Sequence, residues 1–92
     1  MKRGDVYWLD FPAPNKRRPV LIITRDTLIR YLNEVTVVPI TTTVRGVPSE
    51  IVLGSEEGMP AFCAANFLHI QTVNKKLLIE RITTLLSEKC NS

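Results

Sequence analysis

The sequence has few of the residues that usually carry hydrolytic chemistry. It holds one histidine, His69, so a ribonuclease mechanism that pairs two imidazoles within one chain is excluded. Its two cysteines, Cys63 and Cys90, lie far apart and form no CxxC pair, which suggests neither a zinc site nor a disulfide framework. Two free thiols in a reducing cytoplasm are the expectation. The four glycines make no phosphate-cradling loop or dinucleotide fingerprint, and GxSxG and HExxH are also missing. Asp5, Asp10 and Asp26 show no paired-carboxylate spacing. No apolar run is long enough to span a membrane, and none of signal-peptide type follows "MKRGD", so an intracellular protein is expected.

What remains is a small, moderately apolar and mildly basic chain. Ninety-two residues with 45% hydrophobic content fit a single domain near the lower size limit for a self-sufficient core, which self-association would help. Twelve Lys and Arg against nine Asp and Glu give a net charge of +3, a bias toward anionic partners such as nucleic acid or an acidic protein tail.

Short β-rich stretches separated by turn signals run along the chain. "GDVYWLDF" (4–11) mixes β-branched and aromatic residues and stops at the turn cluster Pro12-Ala13-Pro14-Asn15. "PVLIIT" (19–24) is a continuous apolar run too short for a helix, which predicts a strand buried on both faces. Residues 27–33 have room for one helical turn. "EVTVVPIT" (34–41) is β-branched, and Pro39 inside it predicts an edge or a bulge. "EIVL" (50–53) and "AFCAANFLHIQTV" (61–73) read as two more strands, the second long enough to bend. Periodicity leaves 77–86 open between helix and strand. Together these elements predict a mostly β protein with short helices, a small barrel or sandwich.

Arg18 differs from the other basic residues of "KRRPVLIITRD". The residue before proline is pushed toward extended geometry and Pro19 has a fixed φ, so the Arg18 side chain is aimed. It serves either as a solvated surface arginine or as a guanidinium preset for a two-pronged phosphate contact. Thr41, Thr42 and Thr43 similarly read as the polar end of a strand or as hydroxyls that bind a phosphate beside that arginine. For His69, surrounded by apolar residues, a packed core histidine is the simpler role and a general base the sharper one. Tyr7 and Trp8 alternate faces, which predicts one in the core and one exposed.

The ordered set "RGDVYWLDF", "RPVLIIT", "VTVVPITT", "G.P.EIVL" and "AANFLHIQTV" resembles the MazF/PemK family of toxin ribonucleases over about residues 3–86. The resemblance implies one toxin domain over 1–92, with the small SH3-like barrel of the MazF/PemK/CcdB toxin type. It also implies a homodimer, metal-independent and cofactor-free cleavage of single-stranded RNA, and a cognate antitoxin with an acidic disordered tail. Arg18 stands where the family has its catalytic arginine before proline, and Thr41 where it has its catalytic threonine. On this reading RNA contacts are expected from Lys16, Arg17, Thr42, Thr43, Arg45 and Asn66, with His69 as a further contact. The resemblance makes 77–86 mostly strand, with a shortened terminal helix from near Ser87. It also marks the loop "PAPNKR" as shorter than in many relatives. A non-catalytic binding module on the same barrel, such as a gyrase binder, and an inactive relative are the competing expectations.

Overall fold

The computed structural model describes residues 1–10 and 17–85. Seven strands follow one another with little helix between them: β1 (Asp5–Leu9), β2 (Arg18–Ile22), β3 (Glu34–Thr41), β4 (Glu50–Leu53), β5 (Cys63–Asn66), β6 (Gln71–Asn74) and β7 (Leu78–Thr84). A single helical turn, α1 (Asp26–Ile29), sits between β2 and β3. All pairings are antiparallel, in the order β4-β5-β3-β2-β1-β7, with β6 also pairing with β3. Among the described residues this sheet is open between β4 and β7, and its order is that of the expected SH3-like barrel fold.

The apolar run of β2 explains the layering. Val20 and Ile22 join a core with Leu9, Ile29, Val35, Val37, Val73 and Leu78, whereas Leu21 joins a second core with Val6, Val38, Ile40, Leu53, Met59 and Leu85. Successive strand residues point to opposite faces, so β2 and β3 each feed both cores and carry few polar positions. Tyr7 and Trp8 are both half-buried, not one inside and one out, and Tyr7 packs against the first core.

Pro39 lies neither on an edge strand nor at a bulge of the β2 ladder. It sits in the long central strand, opposite Val20. The other side of β3 pairs with β6 up to Val37 and with β5 from Ile40, so Val38 and Pro39 fall between two partners. Thr36 turns its backbone toward β2, where its carbonyl accepts from the Ile23 N–H at 3.1 Å. By alternation Pro39 turns its nitrogen the other way, into the gap, where no ladder bond needs a donor.

The stretch expected as one strand over 61–73 is two. Asn66 ends β5, and its Oδ1 accepts from the Leu68 N–H at 3.0 Å, which sets a 3-10 turn over Phe67–His69 before β6. Of the stretch left open from 77, Leu77 closes a 3-10 turn and Leu78–Thr84 is strand, held to β1 with two register shifts. Asp5, 1% exposed, ties this edge to the N-terminus. Its carboxylate accepts from the Lys2 N–H at 2.9 Å and from the Thr84 hydroxyl at 2.7 Å. The expected helix from Ser87 lies outside the described residues.

Candidate functional site

Strand register brings Arg18 and Thr41 together. In the β2–β3 ladder Val20 faces Pro39 and Leu21 faces Val38. The paired residues end there, and Arg18, two before Val20, and Thr41, two after Pro39, are the next residues on that same face of the two strands; both line one cleft. Arg18 also pairs with Leu9 of β1, so its backbone is held in the sheet while its side chain is exposed.

Thr41 ends β3 half-buried, and its Oγ1 accepts from the Thr43 N–H at 3.1 Å. That bond orients the hydroxyl and leaves its own proton free to be donated. On the far side of β3, Thr41 pairs with Ala64, so Asn66, two residues on from Ala64, shares the Thr41 face. Glu50 of β4 pairs with Asn66 in turn. Arg18, Thr41, Asn66 and Glu50 therefore project from one face of the sheet. The Asn66 Oδ1 also accepts from the Ser49 hydroxyl at 3.0 Å, so its oxygen is already engaged and its amide N–H groups are the part that can serve a ligand.

These side chains border a cleft of about 490 Å³, lined by Arg18, Pro39, Ile40, Thr41, Thr43, Arg45, Glu50, Asn66, His69 and Gln71. Of the residues expected from the sequence, Arg18, Thr41, Thr43, Arg45, Asn66 and His69 meet there. Arg17 and Thr42 are exposed and do not line it. Lys16 lies outside the described residues. His69 is exposed at the end of the 3-10 turn and is not a core histidine, because the turn set by Asn66 lifts Leu68 and His69 off the strand. Glu50 and Gln71 were not expected; only strand register shows that both face the cleft. With two guanidiniums against one carboxylate, the cleft suits an anion.

Cys63 has no part in this cleft. It is a free thiol, 3% exposed, and burial first, then the negative charge of Glu57, pushes its pKa above the ordinary thiol value. A protonated thiol in that setting is packing, not a nucleophile.

Comparison with known proteins adds an independent line. A family model described as PemK-like, MazF-like toxin of type II toxin-antitoxin system matches residues 2–92. The chain is 39% identical over 85 residues to the probable endoribonuclease MazF5 of Mycobacterium tuberculosis, covering 90% of this chain and 76% of that protein. It is 36% identical over 97 residues to the probable endoribonuclease MazF2 of the same organism, covering 100% and 93%. Among solved structures, the M. tuberculosis toxin MazF-mt6 superposes with a TM-score of 0.83 at 33% identity, over 92% of this chain and 83% of that one. The matched length, the barrel and the order of the motifs agree, and the chain belongs to the PemK-like, MazF-like toxin family of type II toxin–antitoxin systems.

Proposed function

We propose that residues 1–92 form a single toxin domain that cleaves single-stranded RNA, with Arg18 and Thr41 as the catalytic pair. The observation that carries this is their placement across adjacent strands of one basic cleft. In the reaction a ribose 2′-oxygen attacks the adjacent phosphorus and the bond to the 5′-oxygen breaks. The products are a 2′,3′-cyclic phosphate and a 5′-hydroxyl end. Negative charge grows on the phosphoryl oxygens along the way, and a preset donor aimed there contributes about 10²–10³ in rate. Arg18 supplies that charge-assisted contact and stays protonated throughout, the Thr41 hydroxyl orients the phosphate, and water takes the 2′-hydroxyl proton and returns one to the leaving 5′-oxygen. Thr43, Arg45, Asn66 and His69 hold the flanking nucleotides, and Lys16, Arg17 and Thr42 act as steering and rim contacts.

The protein partner in this reading is a cognate antitoxin, supported by the description of the family. Its acidic, disordered tail folds over the basic cleft and gives up chain entropy as it binds. A homodimer in the cytoplasm is the working form. Exposed Phe62, Leu68 and Ile70 offer apolar surface for self-association, and among the described residues no helix is long and apolar enough to cross a membrane.

The test is incubation of the purified protein with a long single-stranded RNA in excess EDTA, followed by analysis of the fragment ends. Discrete fragments whose 5′ ends accept a labelled phosphate without prior dephosphorylation are expected. Intact RNA together with inhibition of DNA gyrase would return the protein to the non-catalytic class.

A further inference from the structure

Glu50 lines the cleft and has no role in the proposed cleavage. Glu50 opens β4 opposite Asn66, and its Oε1 accepts from the backbone N–H groups of Arg45 at 3.0 Å and Gly46 at 2.9 Å. Gly46 makes this turn with φ at +72°, a conformation side chains rarely adopt. The two bonds fix the direction of the carboxylate. Its second oxygen, Oε2, is buried and has no hydrogen-bond partner among the described residues, although Glu50 lines the same cleft as Arg18 and Thr41.

A buried acceptor without a donor is costly, and native structures carry few of them. An ionised carboxylate only accepts, so the group that completes Oε2 must bring an N–H or O–H. Phosphate oxygens are repelled by like charge, and of the two donors an RNA carries, the ribose hydroxyl beside the cut is the nucleophile of the proposed reaction, which leaves the nucleobase for Oε2. Guanine presents N1–H and N2–H side by side and matches two free carboxylate oxygens, whereas Glu50 has one. The N3–H of uracil is flanked by two carbonyl oxygens that oppose a carboxylate. Cytosine N4 and adenine N6 are single exocyclic donors, and glutamate is a known acceptor for the cytosine amino group. Oε2 is closed to solvent in this structure, so a base reaches it as cleft side chains move aside, and Arg45 and His69, exposed in the same lining, are side chains of the kind that reorient on the ps–ns scale.

We propose that Glu50 is the base-reading residue of this cleft, its free Oε2 accepting the exocyclic amino group of a cytosine or adenine beside the scissile phosphate. The proposal rests on the RNA-cleaving reading above. Glu50→Gln keeps an oxygen for the Arg45 and Gly46 N–H groups and turns the free position into an amide donor. That change should exchange a preference for amino bases for one for the keto groups of uracil and guanine.

The experiment maps every cut made in a long RNA of mixed sequence by the wild-type chain and by Glu50→Gln. Wild-type cuts should share cytosine or adenine at one fixed position next to the cut, and Glu50→Gln should shift the ratio toward uracil or guanine there by about tenfold or more. A second measurement needs no variant. A short RNA in which that cytosine is replaced by a 2-pyrimidinone nucleoside, which lacks the amino group, should be cut about tenfold more slowly by the wild-type chain. Unchanged preference in Glu50→Gln, uniform loss of cutting at every site, or equal cleavage of the amino-lacking RNA each overturns the assignment while leaving the cleavage reading in place. Failure of the wild-type chain to cut any RNA overturns both.

Discussion

At Arg18 the chain joins a permanent cation to a backbone with little freedom. Pro19 restricts it from one side and the pairing of Leu9 with Arg18 from the other. That much was legible in the sequence, because the steric effect of proline on the preceding residue is local. The partner of Arg18 was legible only through resemblance, since the residues that meet in the cleft come from β2, β3, β4 and β5 and their adjacency is a matter of register. Glu50 and Gln71 carry no local sign of the cleft for the same reason. Cys63 gives a prediction at this scale. Burial keeps its thiol neutral, so the native protein should react with iodoacetamide at Cys63 far more slowly than the urea-unfolded chain, as read by peptide mass mapping. Its folded pKa is raised, so its contribution to stability is complete below the pKa of the unfolded thiol and is lost as pH rises through the folded value. Denaturation midpoints should therefore fall on the alkaline side, and less steeply in Cys63→Ala.

At the scale of elements, hydrophobic pattern was sufficient for β2, where an unbroken apolar run signals two buried faces, and insufficient for 61–73. There a side-chain bond from Asn66 to the Leu68 N–H breaks one expected strand into two and turns His69 outward. Pattern reads burial, and a turn set by one amide side chain leaves no mark on it. Pro39 likewise reads from sequence as an edge signal, yet the gap between β5 and β6 accommodates it within the central strand. The connection after β4 offers a test of element packing. Gly58 has φ +83°, and a methyl group there would stand 2.5 Å from Thr83 Oγ1, which is itself anchored by donating to the Glu57 carbonyl at 2.9 Å. Gly58→Ala should cost about 1–3 kcal/mol, at roughly 4–8 °C in melting temperature per kcal/mol for a domain of this size. Gly54→Ala, with nothing within 4 Å of the added carbon and an ordinary φ, should melt close to the parent protein. Equal melting of the two variants would show that the β4–β5 connection does not pack on β7 as described.

On the scale of the whole molecule, two cores share the central strands, and the cleft opens on one face of those strands. Such a site is held from several strands, because Arg18 is paired to Leu9 of β1, Thr41 to Ala64 of β5, and β2 to β3 just beyond them. Rigidity of this kind suits a reaction in which the protein supplies mainly position and electrostatics. In the proposed reaction the nucleophile comes from the substrate, and the ribose becomes part of the prediction. An oligonucleotide with a single 2′-deoxy residue on the 5′ side of the cut should bind and stay intact, while the all-ribose strand is cut; gel analysis of both checks this. The most direct measurement of the central claim is the single-turnover cleavage rate of Arg18→Ala beside the wild-type chain on one RNA in EDTA, with melting curves for both. A rate lower by about 10²–10³ at an unchanged melting temperature is the predicted result, and cleavage by Arg18→Ala at the wild-type rate would contradict the account.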